Sequence, residues 1–163
     1  MIQPRLLRLE KEEFPITVDY AMSLDMLYES LRKNIIWSGA VELKDRVFPF
    51  NSGVKEFVCC YATLMRKESD LSEIREHAQS AQIILADMKQ LFAFGCAYMR
   101  MAVTAEKITP IVAAAEGSTW LCSHDCLDEL AGIDWDGFYH NPGPSISTFS
   151  GPFEVGTRFL AIR

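Results

Sequence analysis

The run VKEFVCCYATLM (Val54–Met65) is apolar at both sets of alternating positions. A strand wetted on one face alternates apolar and polar residues, so this pattern suits a central strand covered on both faces. Period alone leaves a buried helix open as the alternative. Around it, FPITVD (Phe14–Asp19) is a short β-type run. Ser23 then reads as an N-cap, with Leu24, Leu27, Tyr28 and Leu31 at helical spacing and Asn34 as a stop. Val47–Phe50 followed by Asn51-Ser52-Gly53 reads as a strand end and a turn. Asp70-Leu71-Ser72-Glu73 has the pattern of a capping box, and Leu71, Ile74 and Ala78 line one face of the helix it opens. Leu85, Met88, Leu91, Phe92, Cys96 and Met99 line a longer helix around Ala86–Met101. ITPIVAAA (Ile108–Ala115) reads as a strand, Gly117–Gly151 as a turn-rich stretch, and RFLAI (Arg158–Ile162) as a closing strand.

Strands that do not alternate strictly with helices predict an α+β domain: a mostly antiparallel sheet with about three helices packed on it. At 163 residues the chain fits one domain, 1–163, and its 49% hydrophobic content is enough for a full core. No apolar run approaches the ~18 residues of a membrane span, and MIQPRLLRLEKEEF lacks the apolar stretch of a signal peptide. The five cysteines are odd in number and scattered, four of them in apolar surroundings. That usage fits reduced thiols in a cytoplasmic protein rather than a disulfide framework.

Charge is unevenly spread. The net charge is −6, and Ile108–Thr157 contains no Lys or Arg but seven carboxylates. A chain of this kind is ill suited to phosphate backbones, which need clustered cations; Arg5, Arg8, Lys11, Lys33, Lys44 and Arg46 are interleaved with acids. A positively charged protein partner suits it better.

The most chemical-looking stretch is WLCSHDCLDEL (Trp120–Leu130). On a strand, Cys122, His124 and Cys126 share one face and so could meet a zinc ion, with His140 closing a tetrahedron. The competing reading is a short helix Cys126–Ala131, capped by Asp125 or Ser123, with Leu127 and Leu130 facing the core and Gly132 ending it. That helix would place the Cys126 thiol at a helix N-terminus, between Asp125 and Asp128. Asp134-x-Asp136-Gly137 lacks the remaining ligands of a calcium loop and reads as turn chemistry. Trp135, Phe138 and Tyr139 interleave with these acids, a combination that protein-binding loops use. His77 falls in a solvated helix, and Ser145, Ser147 and Ser150 read as the polar face of an edge strand, so no nucleophile–base pair is specified. The nine glycines are dispersed, without a phosphate-binding loop.

Three ordered stretches carry a resemblance: QIILADMKQLFAFG (Gln82–Gly95), ITPIVAAAEGS (Ile108–Ser118) and TRFLAIR (Thr157–Arg163), preceded by FPITVDYAMSLDML (Phe14–Leu27). Together they are similar to a diffuse group of uncharacterised bacterial and phage-borne proteins. The chain departs from that group's pattern at Ile84-Leu85-Ala86 and in AAAEGS. The resemblance implies a compact cytoplasmic protein of phage or mobile-element origin and brings no activity or catalytic residue with it.

The sequence thus predicts a non-enzymatic, cytoplasmic, protein-binding domain with no cofactor. Its docking face is formed by Asp125, Asp128, Glu129, Asp134 and Asp136 with Trp135, Phe138 and Tyr139. The alternative is a small metal-dependent hydrolase or zinc-stabilised protein using Cys122, His124, Cys126 and His140.

Overall fold

The computed structural model describes residues 5–33, 37–38, 41–42, 52–68, 70–116, 119–122, 128–136 and 143–163. Of these, 37–38, 41–42, 119–122, 128–129, 136 and 148 are described by their backbone alone. The expected strand end at Val47–Phe50 lies outside them. Three helices are described: α1 (Leu24–Arg32), α2 (Leu71–Ser80) and α3 (Met88–Ala102). The strands are β1 (Leu7–Leu9), β2 (Phe14–Asp19), β3 (Trp37–Ser38), β4 (Val41–Glu42), β5 (Val54–Leu64), β6 (Ile84–Leu85), β7 (Ile111–Val112), β8 (Thr119–Cys122), β9 (Asp128–Asp136), β10 (Gly143–Phe149) and β11 (Arg158–Ile162). They form one open sheet in the order β1-β5-β11-β7-β9-β10-β3, with β2 also on β5, β6 on β11, β8 on β9 and β4 on β8. Only β11 with β7 and β10 with β3 run parallel among the described pairings, so this is the mostly antiparallel α+β fold expected.

The doubly apolar run is β5, at the centre. Its alternation splits the core in two, because successive strand residues face opposite sides of a sheet. Cys59 and Tyr61 pack with Ile16, Val18, Leu160 and Ile133 under α1 and α3. Cys60, Ala62 and Leu64 pack with Phe159 and Val112 under Ile74 and Ala78 of α2. The molecule is therefore two helices, a sheet and a third helix in layers.

Local signals set the helices. The Ser23 hydroxyl accepts from Met26 N, and Leu24, Leu27 and Leu31 are buried. The Asp70 carboxylate accepts from Ser72 N, and Ile74 and Ala78 are buried. α3 opens with a full capping box that the sequence analysis missed: Asp87 accepts from Gln90 N and the Gln90 side chain accepts from Asp87 N, both at 2.8 Å. Within α3, Met88, Leu91, Phe92 and Met99 face the core as expected, but Cys96 is exposed with Gly95 turned inward in its stead, and Leu85 precedes the helix in β6.

The stretch expected to be turn-rich holds β8, β9 and β10 instead. The short helix Cys126–Ala131 is not formed: Asp128–Asp136 is a strand, paired with β10 over seven residues and with β7 and β8 on its other side. Gly132 is no helix stop. It lies mid-strand because the Phe149 side chain occupies the space above it, where a Cβ would overlap the ring. Cys126 itself lies outside the described residues, and the helix whose dipole would act on its thiol is not formed over Asp128–Ala131. Ser145 is buried and Ser147 half-buried on a strand flanked by β9 and β3, rather than forming the wet face of an edge. His77 is half-buried, not solvated, and its Nε2 has no partner.

Candidate binding cleft

β1 and β2 form one interrupted partner for β5. Leu9 lies opposite Ala62 and Phe14 opposite Cys59, so Glu10–Glu13 stand against only Cys60 and Tyr61. The surplus residues bulge. Arg163 ties the bulge down, its Nη2 donating to Glu10 O at 2.8 Å and its Nε pairing with Glu13 at 3.2 Å. On the α1/α3 side, the bulge and the end of α3 border a cleft of about 730 Å³.

Its floor is a row at one register. Arg8 and Arg158 both lie opposite Thr63, on the two strands that flank β5, and residues directly opposed in a sheet share a face. Arg8 is neutralised by Glu10, which accepts from its Nε at 3.1 Å and Nη2 at 2.9 Å. That bond, against some burial, and a second bond from Thr63 hold the Glu10 carboxyl below its ordinary range.

Arg158 is placed differently. Its guanidinium lies over the Tyr61 ring, 5.0 Å from the centroid. Nη1 donates to Ala102 O at 3.0 Å and Nη2 to Thr109 O at 2.6 Å, so it caps the last carbonyl of α3 and ties the following loop to the sheet. Nε is sealed from solvent and has no hydrogen-bond partner among the described residues. Among the described residues Arg158 is half-buried and forms no ion pair, as is also true of Arg75 on the far side of the sheet, whereas Arg8, Arg32, Arg66, Lys67 and Arg163 each have a carboxylate. Desolvation holds its pKa below the ordinary value, partly offset by the Tyr61 hydroxyl and, through space, by Glu12. Five N–H donors less the two spent and the sealed one leave two.

Tyr61 also borders the cleft. Burial pushes its pKa well up, against Arg158 and with Glu12, so at neutral pH it is a neutral donor and no base. Met101, exposed at the end of α3, Thr109, and Lys107 line the far wall.

A second polar group of residues is fully internal. Tyr20 Oη donates to Asp87 at 2.8 Å, and Lys89 Nζ donates to Tyr20 O at 3.1 Å and Met22 O at 2.8 Å. It joins the end of β2 to the start of α3. The thiols are quiet: burial pushes Cys59 up to about 12 and raises Cys60 as well.

The residues singled out from sequence fall elsewhere. Asp125, Phe138, Tyr139, His124, Cys126 and His140 lie outside the described residues. Cys122 ends β8 opposite Val41, and Asp128, Glu129 and Asp136 belong to β9, all by backbone alone. Asp134 and Trp135 are both half-buried and, as strand neighbours, face opposite sides of the sheet. Asp134 accepts from Trp135 N at 2.8 Å. Sequence reasoning missed Tyr61 and Arg158. A signal was present: Arg158 has the parity of Leu160 and Ile162, which puts a cation on a core-facing row.

No protein-family model, no curated protein and no solved structure matches this chain.

Proposed function

We propose that the chain is a binding domain for a small anionic ligand, held in the cleft over Tyr61 and Arg158, rather than an enzyme. The observation that carries this reading is the half-buried Arg158, which has no carboxylate in contact among the described residues and borders the cleft. Charges withdrawn from water are normally paired, and an anion entering the cleft would supply the missing partner. Its two remaining N–H groups are donors only, and the neutral Tyr61 hydroxyl can donate beside them, the two residues being fixed on adjacent strands. The cleft volume falls within the ~300–1,000 Å³ of small-molecule sites. The test is titration of the ¹⁵N-labelled protein with sodium acetate at constant ionic strength. Saturable shifts at the Gly156 and Thr109 amides, abolished in Arg158→Gln, are expected, together with a shift of the Arg158 Nε–H in the parent. Linear shifts, or shifts that persist in that variant, would sink the reading.

The cation-free stretch Ile108–Thr157 supports a second, separate proposal, docking of a basic protein partner along Trp120–Phe153. Charge reversal at Asp134 and Asp136 should weaken capture of that partner and its salt dependence. A reducing cytoplasmic setting suits both proposals, since Cys59, Cys60 and Cys96 are unpaired thiols.

A further inference from the structure

Resting on the anion-binding reading, we infer that the occupant of the cleft is an amphipathic monocarboxylate: one carboxylate on an apolar body. Three observations on the cleft select it. The first is charge. Arg8 is already paired with Glu10, Glu12 stands close enough to act on both Arg158 and Tyr61, and Lys11 and Lys107 border the cleft away from the Arg8–Thr63–Arg158 row, so among the described residues Arg158 is the cation of that row left to a ligand. One negative charge matches it. The second is the kind of donor. Phosphate sites gather backbone N–H groups at a helix N-terminus, where the dipole is positive. Here the helix end is the C-terminus of α3, whose Ala102 carbonyl Arg158 caps, and the free donors are two guanidinium N–H groups and one phenol. A carboxylate with two oxygens uses such a set, and a phosphate dianion does not fill its acceptors with it. The third is the wall. Met101 is 51% exposed at the cleft, a flexible thioether that adapts to apolar shapes, and Phe14 borders it with its ring 5.0 Å from that of Tyr61.

The site thus reads as acid on the sheet and hydrocarbon toward α3. The test compares sodium acetate, sodium hexanoate, hexanol, N-acetyl-leucine and inorganic phosphate by the same amide shifts at constant ionic strength. Hexanoate should bind about tenfold tighter than acetate, since its extra methylenes are half-covered. Met101→Gln should reduce that advantage to about twofold and leave acetate unchanged, whereas Tyr61→Phe should weaken both acids by about threefold to tenfold. Tighter binding of N-acetyl-leucine than of hexanoate would support the class and point to the free C-terminus of a peptide as its source. Phosphate binding tighter than hexanoate would overturn this inference while leaving the anion cleft standing. Hexanol binding as well as hexanoate would overturn it by showing that the acid is not read. Failure of acetate, hexanoate and phosphate alike would overturn both. Arg158→Gln could unfold by losing its carbonyl bonds; Tyr61→Phe and Met101→Gln touch neither bond and keep the inference testable.

Discussion

Asp87 joins the start of α3 to the end of β2 while only 5% exposed. Burial raises its pKa; the bonds from Gln90 N, Tyr20 Oη and Lys89 N work against that without reversing it. A carboxyl whose folded pKa is raised contributes its stability below the unfolded pKa, near ~3.9, and loses it as pH rises through the folded value. An amide at this position still caps the helix but does not titrate. The stability of Asp87→Asn relative to the parent should therefore increase as pH rises from about 4 towards 7. Urea melts at several pH values measure it, and a difference that stays flat or falls would remove Asp87 from the account. Removing the donor instead, as Tyr20→Phe, leaves the carboxylate short of one charge-assisted bond; a loss of roughly 1.5–3 kcal/mol in the same melts is expected. Arg158 shows the complementary situation, a half-buried cation hydrogen-bonded to two neutral carbonyls and stacked over the Tyr61 ring. The sequence displayed it as the first residue of a closing strand and gave its face by parity. Tyr61, Ala102 and Thr109 reach it from three other parts of the chain, and no local pattern announces such a meeting.

Among the elements, those with local causes were legible and those with distant causes were not. β2, α1 and α2 follow from period-two alternation and from caps at Ser23 and Asp70. The box at Asp87–Gln90 was overlooked because the apolar period runs through Ala86 and Met88 without a break. β9 is the clearest failure. Leu127 and Leu130 have helical spacing and Gly132 resembles a stop, yet the ladder to β10 and the Phe149 ring over Gly132 hold the segment extended. That ring makes a sharp test. A methyl at Gly132 overlaps Phe149 and also lies 3.1 Å from the Ile111 carbonyl oxygen. Despite the gain from replacing glycine in a strand, Gly132→Ala should lose about 1–3 kcal/mol by urea denaturation. The companion Gly132→Ala/Phe149→Ala should lose less than the sum of the two single changes, since the clash is gone. Additive losses would mean that the ring does not fill the glycine's space.

At the scale of the whole molecule, unequal cover of the sheet explains both the cleft and the protection of an edge. α1 and α3 cover one face, but α3 ends at Ala102 and leaves the Arg8–Thr63–Arg158 row to the bulge and to solvent. At the outer edge, β2 pairs only with β5 among the described residues. Val58 O accepts from Arg163 N and so points to β11, which turns the backbone groups of Pro15, opposite it, outward. An outward-facing N–H and C=O invite a second chain to add a strand, and here both are disarmed. Proline has no N–H to offer, and the Pro15 carbonyl is taken by Tyr98 Oη at 2.6 Å. Pro15→Val with Tyr98→Phe restores the donor and releases the acceptor, while the aromatic packing of residue 98 on Phe14 and Phe94 is retained. Each backbone bond to a second copy is worth about 1 kcal/mol, so two of them should raise self-association about tenfold or more. Sedimentation velocity over a concentration series should show the double variant associating where the parent does not, with both singles in between. If the double variant sediments like the parent throughout while its far-UV spectrum is unchanged, the edge is guarded by something other than Pro15 and Tyr98.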